Sequence, residues 1–131
     1  MTPDLPITTI TAAVNAMLFF ALTVSVISYR RSNSVTLGDN DDRILAKRIR
    51  GQGNAAEQIP IALILLTLAE LQGAPTWILI IPAALFTIGR ILHAAYFAIH
   101  GTHWRFRLYG MFLTLISQAL FIIAVIVALL V

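Results

Sequence analysis

ISQALFIIAVIVALLV, residues 116–131, contains no charged side chain, and IALILLTLAEL, residues 61–71, contains only one. Neither run shows the strict alternation of apolar and polar residues that a strand of a membrane β-barrel requires. Unbroken apolar runs of this kind are typical of helices that cross a lipid bilayer. These two stretches therefore favour an α-helical membrane protein over a barrel.

Similar apolar stretches fill the rest of the chain. Of its 131 residues, 59% are hydrophobic and only 11% are charged, which is far from the balance of a soluble domain. Each stretch is close to the ~20 residues that a helix needs to span the membrane. We predict a single domain over residues 1–131, an all-α four-helix transmembrane bundle with helices at about 7–29, 43–72, 75–99 and 107–131.

Local signals set the ends of the second and third helices. Asp41 or Asp42 is expected to be the N-cap of the second helix. Gly73 fits a glycine at a helix C-terminus, and Pro75 fits the first position of the next helix. The second and third helices should therefore form a tight antiparallel hairpin.

The basic residues predict the topology. All nine lysines and arginines lie in the first loop, the third loop or the membrane segments that adjoin them, and the second loop, QGAPT, has none. Under the positive-inside rule, loops one and three are cytoplasmic and both termini lie on the other side. This topology suits a bacterial inner membrane, and the same charge pattern would serve in an endoplasmic reticulum. The N-terminus has no basic segment of a signal peptide, so the first span should remain in the protein. No folded basic surface for nucleic acid is expected.

Charged residues occur at matching depths in the second and third helices. Glu57 precedes the turn at Gln72 by 15 residues and Arg90 follows Thr76 by 14, so both should lie roughly 21–22 Å deep. Asn54 and His93 match in the same way. Charges near mid-membrane cost at least about 2.5–3.5 kcal/mol each, so this cluster is a functional-site candidate. The alternative is structural: Arg90 neutralises Glu57 within a polar stripe between helices.

The spacing of the polar residues indicates what the cluster binds. Arg50, Asn54 and Glu57 follow an i, i+4, i+7 pattern, which places a cation, an amide and a carboxylate on one helix face. Such a face suits a small zwitterion. The three histidines have no nearby carboxylate partner, so no metal site is expected. The chain has no cysteine, so a thiol nucleophile must come from a substrate.

Three segments carry a resemblance to a known family. RGQGNAAEQIP, residues 50–60, is similar to the Arg-x3-Asn-x2-Glu-x2-Pro signature of membrane-associated proteins in eicosanoid and glutathione metabolism, the MAPEG family. VISYRR, residues 26–31, resembles the end of that family's first helix, and GRILHAAYF, residues 89–97, resembles its third helix. The similarity covers nearly the whole chain, including its four-helix layout.

The resemblance implies a homotrimer that binds glutathione as co-substrate between adjacent subunits, near the cytoplasmic side. It implies that a loop arginine stabilises the glutathione thiolate, with Arg105 ranked before Arg107. Many relatives have tyrosine where this chain has Gln58, His93 and Phe97, and Tyr96 lies one position from the expected phenol. The implied glutathione-site residues are Arg30, Arg50, Gln52, Asn54, Glu57, Gln58, Arg90, His93, Tyr96 and Phe97.

These features predict an integral-membrane glutathione transferase, with peroxidase activity as a further outcome. The thiolate would attack a hydrophobic electrophile that arrives from the membrane lipids. The alternative is a non-catalytic member that binds a lipid or another ligand, which the missing tyrosines favour. A small proton-coupled exporter is a third hypothesis, but such exporters carry a glutamate in the first helix, and residues 7–29 contain no acid.

Overall fold

The computed structural model describes residues 4–130, which form four α-helices and no β-strand. Helix α1 spans Pro6–Ser32, α2 spans Arg43–Leu71, α3 spans Thr76–Ala98 and α4 spans Arg105–Leu130. All four are long and apolar enough to cross a membrane. The predicted all-α four-helix membrane bundle is confirmed.

The observed helix ends differ from the expected ones by a few residues. Helix α1 continues three residues beyond position 29, and α4 begins two residues before position 107. The extension of α1 places Arg30 and Arg31 in its last turn, where cations interact favourably with the helix dipole. Residue 131, the expected end of α4, and residues 1–3 lie outside the described residues.

Helices α2 and α3 form the centre of the bundle. Each contacts all three other helices, whereas within residues 4–130 α1 and α4 do not pack on each other. The most extensive interface joins α3 to α4. There the backbones approach so closely that a Cβ atom on Gly110 would lie 2.5 Å from the backbone nitrogen of His93. Small residues at such crossings let membrane helices pack through van der Waals contact.

Helix α2 is capped at both ends. Asp42 is the N-cap of α2, because its Oδ1 accepts from the backbone N–H of Ile44 at 2.7 Å. Gly73, with φ of +79°, ends the α2 hydrogen-bond ladder as expected. Pro75 is the N-cap residue of α3 rather than its first helical residue, since the helix begins at Thr76.

Glu70, in the last turn of α2, stabilises the first turn of α1. Its two carboxylate oxygens accept from the backbone N–H groups of Ile7 at 3.0 Å and Thr8 at 2.8 Å. These donors have no partner within their own helix, and the negative charge suits the positive end of the helix dipole. Glu70 therefore ties α1 to α2.

Candidate functional site

Arg90 is the centre of a polar cluster between α2 and α3. Its side chain is 0% exposed, and its Nη2 donates to Asn54 Oδ1 at 3.0 Å and lies 3.3 Å from His93 Nδ1. The Nε and Nη1 atoms are buried and have no hydrogen-bond partner within residues 4–130. A buried cation is costly unless it is paired, so this arrangement leaves Arg90 short of an acceptor.

Glu57 does not supply that acceptor. It is exposed on α2, and none of the Arg90 hydrogen bonds goes to it. The rotation of α2 about its axis explains this. Ala55 and Ile59 face the interior of the bundle, and Glu57, about 200° around the helix from each of them, lies on the opposite face. The depth count gives the heights of Glu57 and Arg90, but it contains no information on which way each helix is turned.

The exposed side of α2 carries Arg50 and Glu57. They lie seven residues apart, so they are two turns apart on one helix face. Between them Gly53 has no atom within 4 Å of the position that a Cβ would occupy. We call Arg50, Gly53 and Glu57 the open polar face. Asn54 is half-buried at its edge and connects it to Arg90, while Gln52 is half-buried on the same turn.

Gln58 is engaged by a residue that the sequence analysis missed. Nε2 of Gln118 on α4 donates to Gln58 Oε1 at 3.0 Å and approaches the Gln58 backbone oxygen at 3.3 Å. The sequence does contain a signal for this contact, because Gln118 places a carboxamide inside the long apolar run of the fourth span. Polar residues inside membrane helices commonly join neighbouring helices in this way.

Three aromatic rings of α3 lie together at the end of the cluster nearest the third loop. The ring centroid of Phe97 is 4.9 Å from that of His93 and 5.0 Å from that of Tyr96. The Lys47 ammonium lies 3.9 Å from the centroid of the Tyr96 ring, a cation–π contact between α2 and α3. Gly51 of α2 leaves the space that Phe97 fills.

A second network, also missed by the sequence analysis, closes the first loop. Tyr29 donates to Asp42 Oδ2 at 2.8 Å, and the Arg48 guanidinium lies 5.0 Å from the Tyr29 ring centroid. Arg48 also bonds to the hydroxyl of Ser25. The Tyr29 hydrogen bond, helped by two backbone N–H donors, holds the pKa of Asp42 below its ordinary value of 3.8. This network fixes the end of α1, and therefore half-buried Arg30, against the start of α2.

The two candidate catalytic arginines differ in their surroundings. Both are exposed in the first turn of α4. Arg105 lines a shallow groove with Phe106 and lies 5.9 Å from the Trp104 ring centroid. Arg107 lies one turn before Gly110 on α4, and Gly110 packs against the backbone of His93. Within the described residues, Arg107 is therefore the loop arginine on the side of α4 that packs against the polar cluster.

Comparison with known proteins places these features in a family. A sequence model described as the MAPEG family matches residues 8–127, which contain all four helices except their outermost turns. The inner membrane protein YecN of Escherichia coli strain K12 is 34% identical over 113 residues, which cover 86% of this chain and 85% of YecN. YecN from E. coli strain CFT073 gives the same identity and coverage. The chain thus belongs to the MAPEG family.

Proposed function

We propose that this protein is an integral-membrane glutathione transferase whose site lies on the open polar face. The observation that carries the proposal is that Arg50 and Glu57 are both exposed within an apolar helix. A charge facing hydrocarbon costs at least about 2.5–3.5 kcal/mol, so a polar partner must cover this face. A second copy of the chain, with a zwitterionic ligand held between the copies, meets that requirement.

The charges on the face are complementary to glutathione. The tripeptide has two carboxylates and one ammonium group, so it needs two cations and one anion from its site. Arg50 would pair with one carboxylate and Glu57 with the ammonium group. Arg30 and Gln52 from the neighbouring subunit of a homotrimer would complete the set. Arg90, with its two unpaired nitrogen atoms, orients Asn54 towards the same ligand.

The proposed reaction needs a thiolate. A nearby guanidinium favours the charged sulfur and so lowers the pKa of the glutathione thiol. The thiol proton leaves to water, the sulfur lone pair forms a bond to the electrophilic carbon of a hydrophobic substrate, and the leaving group departs with the electron pair of its broken bond, as chloride does from chlorodinitrobenzene. Because it lies on the same side of α4 as Gly110, which packs against the His93 backbone, Arg107 is our first candidate for this role and Arg105 the second. With a lipid hydroperoxide, two glutathione molecules would give the disulfide, an alcohol and water.

The proposed location follows from the charge pattern and from the relatives. YecN is named as an inner membrane protein, which supports a bacterial inner membrane for this chain as well. Arginines of the first and third loops would face the cytoplasm, and both termini would lie on the opposite side. The glutathione site would then open towards the cytoplasm, where Arg107 lies in the first turn of α4.

Conjugation of glutathione to chlorodinitrobenzene by the purified protein tests the proposed function. Arg107→Ala is expected to lower kcat at least about tenfold, and Arg105→Ala less. Arg31→Ala is the matched control, because Arg31 is exposed at the same membrane surface and has no assigned role. Equal activity in all three variants would exclude a catalytic loop arginine, and no activity in the wild type would exclude a transferase for this electrophile.

A non-catalytic ligand-binding protein is the second candidate. The observation in its favour is that the side chains at the family's phenol positions are engaged within the chain: Gln58 bonds to Gln118, and His93 packs on Phe97. Calorimetry separates the two candidates. A lipid ligand that binds while glutathione does not would support the non-catalytic protein, whereas saturable glutathione binding supports the transferase.

A further inference from the structure

A second candidate site lies between α1 and α3, on the part of the bundle near the α2–α3 turn. It is a groove of about 580 Å³ that begins at the outer ends of both helices, at Pro6 and Thr76, and reaches Thr87. Its walls are aliphatic, and its polar lining side chains are three threonines, Thr11, Thr76 and Thr87. Its volume is within the range of pockets that hold small organic ligands.

A buried amide supports the inner end of the groove. Asn15 is 0% exposed, and its Nδ2 donates to the backbone oxygen of Thr11 at 2.9 Å and to Thr87 Oγ1 at 3.1 Å. Its Oδ1 is buried and has no donor within residues 4–130. The Asn15 amide and the Thr87 hydroxyl therefore form a hydrogen-bonded pair. Within residues 4–130, the oxygen of Asn15 lacks a donor, and this bond leaves the proton of Thr87 unused.

The direction of this hydrogen bond determines what Thr87 offers to a ligand. Because Thr87 Oγ1 accepts from Asn15, the hydroxyl proton points to another acceptor. Thr23 and Thr67 donate theirs to the carbonyl four residues back, at 2.9 and 2.7 Å. For the Thr87 proton, the described part of the chain provides no such acceptor. Thr87 is thus a hydrogen-bond donor on the wall of an apolar groove, and the amide behind it polarises the hydroxyl.

The depth of Thr87 limits the ligand. It lies 11 residues from the start of α3, which is roughly 16 Å into the membrane. A phospholipid bound in the groove would place its ester oxygens near the membrane surface and only methylene groups beside Thr87. Among residues 4–130, none of the side chains that line the groove is charged. A molecule that satisfies Thr87 is therefore neutral, dissolved in the bilayer, and carries an acceptor oxygen within its apolar body.

We infer that this groove binds a lipid-soluble carbonyl compound of the quinone or aryl-ketone class, whose oxygen accepts the Thr87 proton. The α1–α3 groove is formed by a different pair of helices from those that hold the open polar face. The inference is therefore independent of the proposed glutathione site, and either can fail without the other.

Photolabelling with 4-decylbenzophenone, a neutral aryl ketone, tests the inference in phosphatidylcholine nanodiscs. Ultraviolet light inserts the ketone carbon into nearby C–H bonds, and mass spectrometry of the peptides locates the insertion. We expect labelling of residues 10–15 and 80–88. Thr87→Val, which removes the hydroxyl at nearly constant volume, should reduce that labelling about fivefold. Thr67→Val, which changes a threonine of α2 outside the groove whose hydroxyl donates within its own helix, should leave the labelling unchanged.

Two further measurements keep the test decisive. Unlabelled decyl diphenylmethane, which lacks the carbonyl oxygen, should fail to compete with the probe. Ala84→Phe should block labelling by filling the groove without changing the Asn15–Thr87 bond, so it serves if Thr87→Val folds poorly. Equal labelling of wild type and Thr87→Val, equal competition by the diphenylmethane, or protection of the groove by a second copy of the chain would each overturn the inference.

Discussion

Replacing Asn54 with leucine should destabilise the bundle by about 2–3 kcal/mol. The expectation follows from Arg90, which is 0% exposed and has Asn54 Oδ1 as its one oxygen acceptor within the described residues. A hydrogen bond to a charged group contributes about 1.5–3 kcal/mol, and leaving the buried partner unsatisfied adds the cost of its lost solvation. Asn54→Asp should be at least as stable as the wild type, because it gives Arg90 a carboxylate at the same position.

A double-mutant cycle isolates this interaction from other effects of the leucine. Arg90→Leu removes the buried cation, so the double variant Asn54→Leu/Arg90→Leu should be more stable than the sum of the single changes predicts, with a coupling of about 1.5–3 kcal/mol. The matched cycle with Glu57→Gln should give a coupling near zero, because Glu57 does not bond to Arg90.

Reversible unfolding by sodium dodecyl sulfate in mixed micelles, followed by circular dichroism, measures these energies. If Asn54→Leu is as stable as the wild type, the hydrogen bond from Arg90 to Asn54 does not stabilise the bundle. This pairing is also refuted if the Glu57 cycle shows the larger coupling, because Arg90 would then be neutralised by Glu57 as the depth count alone suggested.

Three further predictions concern parts of the bundle away from Arg90. Gly51→Ala should destabilise the protein by about 1–3 kcal/mol because its Cβ would collide with the α3 ring that fills this space, whereas Gly53→Ala should cost less because its Cβ meets no atom of its own chain; equal effects in thermal unfolding would contradict this. Glu70→Gln should destabilise α1 by about 1 kcal/mol and speed amide exchange in its first turn, and unchanged exchange would show that the carboxylate does not cap that helix. Because the pKa of Asp42 is below 3.8, its N-cap stabilises α2 above that pH and the effect is lost as the pH falls through the lowered pKa, so the protection of the amides at residues 43–46, measured relative to their intrinsic exchange at each pH, should fall at acid pH in the wild type. Asp42→Asn should remove that pH dependence while the control Asp41→Asn keeps it.

The sequence predicts the fold well because, in a membrane, hydrophobicity and segment length are sufficient to locate the helices. Apolar runs of the right length place four helices within a few residues of their observed ends, and Gly73 and Asp42 mark real helix ends. The same reasoning fails for Pro75 by one position, because a proline is compatible with both the N-cap and the first helical position.

The site is harder to predict because it depends on helix rotation and on pairs that are distant in sequence. The depth count brings Asn54, Arg90 and His93 together correctly, but it also suggests Glu57 as a partner, and the buried face of α2 turns that carboxylate away. Gln118 lies 60 residues from Gln58, and no local pattern joins them. Such contacts follow from the packing of α2 against α4, which a single sequence does not specify.

In the proposed function, Arg50 and Glu57 bind glutathione on a face that a second copy of the chain completes. Calorimetric titration of glutathione into the purified oligomer measures this binding, with Arg50→Ala, Glu57→Gln and the control Arg31→Ala compared with the wild type. We expect saturable binding that is retained in the control and weakened at least about tenfold in each site variant. Binding that is absent from the wild type, or that is unchanged in both site variants, would contradict this proposal.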